Sequence, residues 1–192
     1  MNYIYYVMSN KKNIPVFIGV GAARCGTTWT FQQLRKHPDI CVTSKKETKF
    51  FHRNFQRKKF IQQVIFDKEN PKIIGEIDPS YIKEKKCMEN IKWTFPDAKI
   101  LIFIRNPIER IFTEYKAYFY KEIFEDTFST ILLKNVKQKS KCFLSDSVKM
   151  WMNNFDCHVS VYDDLKEDSL SYIQNIFEFL EVKKNFVPPD YN

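Results

Sequence analysis

Glycine is scarce in this chain, with four in 192 residues, and two of the four, Gly21 and Gly26, fall within one short turn. So thin a supply excludes collagen-like and glycine-rich linker sequences, and with 44% apolar and 16% aromatic residues it predicts an ordinary folded domain. Long hydrophobic runs are also missing. The opening "MNYIYYVMSNKKNIPVF" is interrupted by polar residues from Ser9 to Asn13, and no stretch reaches the length of a membrane span. Neither a signal peptide nor a spanning helix is expected, and the expected location is cytoplasmic. The cysteines (Cys25, Cys41, Cys87, Cys142, Cys157) are odd in number and never spaced C-x-x-C, which excludes a zinc ribbon and a disulfide framework and fits a reducing compartment. Acidic residues are outnumbered 23 to 31 by Lys and Arg, a net charge of +8 that favours anionic partners without choosing among nucleotides, glycans, nucleic acid and membrane surface. Between Lys45 and Lys59 the bias is sharpest, with Glu47 the lone acid among basic residues.

Apolar runs alternate with amphipathic stretches. "PVFIGV" (Pro15 to Val20) leads through the glycine turn into a helix carrying Trp29, Phe31 and Leu34. "KIIGEI" (Lys72 to Ile77) precedes a helical stretch to Trp93, and "AKILIFIR" (Ala98 to Arg105) precedes a helix opened by Asn106 as cap and Pro107 in the first turn. "CHVSVY" (Cys157 to Tyr162) precedes a helix from about Asp168 to Leu180. This order predicts an α/β fold: one domain over residues 1–192, with a core at about 15–182, a tail at 183–192, and a central parallel sheet flanked by helices on both faces. In such sheets ligands meet the carboxyl ends of the strands, where Arg24, Glu76, Asp78 and Arg105 fall. The stretch from Glu122 to Lys141 carries no readable pattern.

The turn "GVGAARCGTTWT" (Gly19 to Thr30) has the glycine spacing of a phosphate loop, but Thr27 stands where a P-loop of the nucleotide-hydrolysing kind has lysine. The nearest cation, Arg24, lies inside the loop. Backbone amides from Gly21 to Thr28, including those of Ala23, Cys25 and Gly26, the hydroxyls of Thr27 and Thr28, and the following helix N-terminus can together receive a phosphate or sulfate group. The bland alternative is a tight strand-to-helix turn without a ligand. Without the lysine, and without an apolar strand ending in the aspartate of a Walker B element, magnesium-dependent hydrolysis of a nucleoside triphosphate is disfavoured.

Five motifs in order, "RCGTTW" (Arg24 to Trp29), "KETKFF" (within Lys45 to Phe51), "GEIDPSY" (Gly75 to Tyr81), "IRNPIERIFTEY" (Ile104 to Tyr115) and "VYDDLKEDSLSYIQNIFEFLEV" (Val161 to Val182), resemble the sulfotransferases that use 3′-phosphoadenosine 5′-phosphosulfate (PAPS). The likeness is greatest to the branch of heparan sulfate and bacterial carbohydrate sulfotransferases. It implies a P-loop-like fold and PAPS as sulfuryl donor with 3′-phosphoadenosine 5′-phosphate (PAP) as product. No metal is implied, and the acceptor would be a glycan or small molecule, with an anionic one favoured by the basic run and no nucleic acid expected. The resemblance gives Arg24 the place of the cation that neutralises the leaving 5′-phosphate, and Ala23 to Thr28 the cradle of that phosphate. It gives Trp29 a place against adenine, although a core aromatic at a helix start is an equal reading. Arg105 and Thr113 take the place of the pair that grips the 3′-phosphate; the alternative is that Arg105 closes the sheet edge and pairs with Glu109 or Glu114. Glu47 takes the place of the general base, with His52 as runner-up, although it lies outside the histidine motif of the cytosolic members.

Two departures stand out. Glu76-Ile77-Asp78-Pro79 replaces the "EK-[ST]-P" usual in glycan sulfotransferases, so its lysine is absent. The segment that closes over the 3′-phosphate and adenine in many members is also missing before Asn192, so that either Lys183 and Lys184 partly substitute for it or the cofactor is held more openly. A P-loop kinase of nucleotides or small molecules and a non-catalytic nucleotide-binding module remain the alternatives.

Overall fold

The computed structural model describes residues 14–119, 128 and 143–190. Chain order is β1 (Val16–Gly21), α1 (Thr27–Lys36), β2 (Ile40–Val42), α2 (Phe50–Arg53), α3 (Arg57–Ile61), β3 (Ile73–Ile77), α4 (Lys85–Thr94), β4 (Lys99–Ile104), α5 (Pro107–Phe119), α6 (Ser145–Met152), β5 (Cys157–Val161), α7 (Tyr162–Glu167) and α8 (Ser169–Phe179). A single 3₁₀ turn, Pro79–Tyr81, follows β3. The strands form a parallel sheet in the order β2-β3-β1-β4-β5, as expected for alternating strands and helices. Nearly all of the unreadable stretch, Glu122 to Lys141, lies outside the described residues.

Alternation along the strands splits the core in two. Val16, Ile18, Val20, Ile74, Ile100 and Ile102 face a layer that includes Phe51, Phe60, Ile91 and Trp151 from α2, α3, α4 and α6. Phe17, Ile73, Leu101 and Phe103 face Phe31 and Leu34 of α1 and Ile173, Ile176 and Phe177 of α8. Each fully buried aromatic or branched side chain contributes roughly 1.5–3 kcal/mol. Burial on both faces explains why the strands read as unbroken apolar runs.

The caps legible in the sequence form. Asn106 Oδ1 accepts from the Ile108 amide at 3.0 Å, and the Asp168 side chain accepts from the Ser171 amide at 3.0 Å. Strand β2 and helices α2, α3, α6 and α7 carry no such signal, being too short for periodicity to show. Among the described residues no helix is long and apolar enough to cross a membrane.

β1 connects through α1 toward the β2 edge, whereas β4 leads toward the β5 edge. The crevice between the carboxyl ends of β1 and β4 is therefore the point where the winding reverses, the place where a doubly wound sheet receives its ligand.

Candidate active site

The turn leaving β1 crosses that crevice. Its residues Gly21 (φ 112°), Arg24 (φ 66°) and Gly26 (φ 80°) are left-handed, a backbone that turns successive amides toward one side. Glycine is required at two of them: a Cβ on Gly21 would stand 2.6 Å from the Pro79 carbonyl oxygen, and one on Gly26 would stand 2.6 Å from Leu165 Cδ2. The Ala22 amide donates to the Phe103 carbonyl at 2.7 Å, which pins the turn to β4.

Among the described residues helix α1 starts at Thr27 with no side-chain cap, and its own first turn holds no acidic residue, so its first amides and its positive dipole end face the turn. These features fit a phosphate group. Thr27 is buried and Thr28 exposed. Cys25 is fully buried and its thiol is pushed up to about 11 by that burial, with Arg110 and Arg105 pulling the other way. Cys25 therefore stays a thiol and offers the site its backbone. Arg24 is exposed, with no side-chain partner among the described residues.

Trp29 is half-buried and meets the Tyr172 ring edge-on at 6.0 Å. Of the two readings open in the sequence, this contact favours a core-edge aromatic.

Arg105 leaves the end of β4 and lies over the Tyr162 ring, 4.2 Å from its centroid. Its Nη1 donates to the Arg24 carbonyl at 3.3 Å, and its Nε and Nη2 donate to Glu109 Oε2 at 3.3 and 3.1 Å. The pairing with Glu109, weighed as an alternative at the sequence level, is thus present. Thr113 lies one turn beyond Glu109 on the same face of α5, its hydroxyl donating to the Glu109 carbonyl at 2.8 Å. Arg105, Glu109 and Thr113 thus follow one another at four-residue spacing from the end of β4 into α5, with an anion already beside the guanidinium. Tyr162 was missed in the sequence, although it closes the apolar run of β5 at the same edge of the sheet.

Glu47 arrives from the other side. The Glu47 amide donates to the Ile77 carbonyl at 3.2 Å, the last residue of β3, whose neighbour in the sheet is β1. Glu47 (φ 63°) and Lys49 (φ 55°) are both left-handed, which costs about 1–2 kcal/mol each without glycine and persists only where surrounding bonds fix the chain. The Glu47 carboxylate is half exposed, at 51%, and paired with Lys46.

Beneath it, Glu76 is completely buried. That burial pushes its carboxyl up to about 7, against hydrogen bonds from Thr48 and Tyr81 that favour the ionised form. Asp78 accepts from the Lys49 amide at 2.7 Å and from the Ser80 amide and hydroxyl at 3.0 and 2.6 Å.

His52 belongs to the same corner. Its Nε2 lies 2.8 Å from Ser80 Oγ, and its Nδ1 lies 3.4 Å from Cys87 Sγ. Because the Ser80 hydroxyl donates to Asp78, the network assigns the hydrogen to His52 Nε2. The Cys87 thiol, pushed up to about 12 by burial, is the donor to Nδ1. His52 therefore has both ring nitrogens engaged by neighbouring side chains. A cleft of about 640 Å³ opens here, lined by Thr48, Lys49, His52, Arg53 and Ser80 among others.

Lys183 and Lys184 do not approach the crevice. The Lys183 carbonyl meets His37 Nε2 at 3.1 Å, at the far end of α1 from the turn, about 15 Å along a helix of that length. Lys184 pairs with Glu178 at 2.7 Å. Of the two alternatives left open by the sequence, this placement speaks against partial substitution by these lysines: Phe186 packs against His37 and Phe177 and holds the segment there.

Comparison with known proteins gives the same direction. The family described as Sulfotransferase domain matches residues 15–188. The membrane-associated sulfotransferase kil1 of Dictyostelium discoideum is 34% identical over 108 residues, covering 53% of this chain and 22% of that protein. The human heparan sulfate glucosamine 3-O-sulfotransferase 3B1 is 25% identical over 132 residues, covering 68% of this chain and 34% of that protein. The chain thus spans about a fifth to a third of the length of these relatives. Among solved structures, a sulfotransferase from Alicyclobacillus acidocaldarius superposes with a TM-score of 0.75 at 26% identity, covering 91% of this chain and 84% of that one. Mouse sulfotransferase SULT7A1, solved with PAP, shares the fold with a TM-score of 0.61 at 14% identity, covering 91% of this chain and 61% of that one.

Proposed function

The chain belongs to the sulfotransferase domain family, and from that premise we propose that it moves a sulfuryl group from PAPS to a hydroxyl, or an amine, of a carbohydrate-like or small-molecule acceptor. The observation that carries the reading is the meeting of two pieces at neighbouring strand ends: the phosphate-type turn after β1, and the Glu47 strap bonded to the end of β3. Paired strands lie about 4.8 Å apart, so the segment that carries Glu47 and the glycine turn share one edge of the sheet.

The donor supplies an activated sulfuryl group on a phosphate leaving group. Amides from Ala23 to Thr28 would hold that phosphate, and Arg24 would neutralise the charge it gains. Arg105 and Thr113 would hold the 3′-phosphate, which would displace Glu109 as the partner of the guanidinium. Glu47 would take the proton of the acceptor hydroxyl as its oxygen attacks sulfur. Lys49 and Arg53 beside the cleft support an anionic acceptor, and the heparan sulfate relatives favour a glycan. A cytoplasmic location is part of the same proposal.

Incubation with radiolabelled PAPS and a panel of glycans, phenols and small alcohols tests it, with label transfer and PAP release the expected result. Phosphate release from ATP with magnesium and no sulfuryl transfer would identify a kinase instead. Tight PAP binding without turnover on any acceptor would identify a binding module.

A further inference from the structure

Glu76 lies at the carboxyl end of β3, carries no exposed surface and touches neither the crevice nor the cleft. Both of its oxygens are nonetheless committed. Oε2 accepts from the Thr48 hydroxyl, and Oε1 accepts from the Tyr81 hydroxyl at 2.9 Å. Those two hydroxyl oxygens in turn accept the first amides of α2, from Phe50 at 3.1 Å and from Phe51 at 3.3 Å. One buried carboxyl therefore gathers the strap before α2, the start of α2 itself and the 3₁₀ turn after β3.

On either side of Thr48 the strap is tied to the same strand end, by the Glu47 amide to Ile77 and the Lys49 amide to Asp78. Three consecutive strap residues thus bond to three consecutive residues of the β3 end: 47 to 77, 48 to 76 and 49 to 78. Glu47, left-handed and half exposed, is the first residue of a segment that has little freedom left.

We propose that Glu76 and Thr48 are positioning residues for sulfuryl transfer, fixing through their hydrogen bond the strap that aims the Glu47 carboxylate. This rests on Glu47 being the base. Misplacing a catalytic group by about 1 Å lowers a rate by about a hundredfold, so even partial loosening of the strap is measurable.

The test uses the whole chain, with radiolabelled PAPS as donor and de-O-sulfated heparan sulfate as acceptor, beside amide hydrogen exchange, which needs no acceptor. Thr48→Val, close in shape and lacking the hydroxyl, and Glu76→Gln should each lower kcat about tenfold while leaving acceptor KM and PAP Kd within about twofold. Exchange at the amides of residues 47–51 should speed up, with the sheet unchanged. Thr48→Val carries the test if Glu76→Gln folds poorly. In a Glu47→Gln background, Thr48→Val should remove nothing further from the residual rate, because a positioning residue acts only through the group it positions.

Undiminished kcat with unchanged strap exchange in Thr48→Val would overturn the proposal, as would an equal loss in the Glu47→Gln background. These outcomes leave Glu47→Gln inactive and so spare the base assignment. Full activity in Glu47→Gln would instead sink the base assignment, and this proposal with it.

Discussion

The Arg105 guanidinium donates to the main-chain carbonyl of Arg24 at 3.3 Å, so the cation leaving β4 is tied to the backbone of the loop cation leaving β1. The same guanidinium pairs with Glu109 and lies on Tyr162, and it remains only 15% exposed. One residue thus shapes the loop and borders the crevice.

A 3′-phosphate separates PAP from ADP, and Arg105 is the cation proposed to hold it. Calorimetry should show PAP binding at least about tenfold tighter than ADP, a difference of roughly 1.4 kcal/mol. Arg105→Ala should erase most of that difference. Equal affinity of the unmodified protein for both nucleotides would argue against PAPS as donor.

Arg24 is exposed and left-handed, and its side chain makes no hydrogen bond or ion pair among the described residues. Arg24→Ala should therefore leave the urea unfolding midpoint nearly unchanged and lower turnover by roughly two to three orders of magnitude, the scale of losing one preorganised charge-stabilising group. A variant with normal turnover would remove Arg24 from the mechanism.

The two base candidates sit in different bonding states. Glu47 has a half-exposed carboxylate paired, among the described residues, with Lys46, whereas His52 has Ser80 on one ring nitrogen and Cys87 on the other. Glu47→Gln should keep PAP affinity and lose most of the rate, while His52→Ala should stay within about tenfold of the unmodified enzyme. The reverse ranking would transfer the role to histidine.

Glu76 gives stability a pH dependence of known sign. Its carboxyl is raised from about 4.5 to about 7 by burial, so the folded protein holds that proton more tightly than the unfolded chain does. The contribution is fully present below about 4.5 and is lost as pH rises through about 7, a fall of roughly 3 kcal/mol at most. Urea unfolding of the protein and of Glu76→Gln across that window should show the difference between them shrinking toward higher pH. A difference that does not change with pH would mean that Glu76 titrates as an ordinary exposed carboxyl.

The sequence by itself determined the layered α/β architecture, the glycine-bearing turn after β1 and the carboxyl edge on which Arg24, Glu76, Asp78 and Arg105 collect. These are local properties: strands buried on both faces must be apolar throughout, a left-handed turn needs glycine at Gly21 and Gly26, and helix caps act within a few residues of themselves. Tertiary structure alone decided which side chains meet. Nothing near position 76 in the sequence says that its carboxyl takes hydroxyls from Thr48 and Tyr81, nor does anything near 105 say that its guanidinium finds Arg24 and Tyr162, residues 81 and 57 positions away. Lys183 and Lys184, reasonable phosphate partners by charge, were carried to the far end of α1 by the packing of Phe186 on His37. Charge and periodicity are written along the chain, whereas a hydrogen bond depends on separations of a few ångströms fixed by how sheet and helices pack.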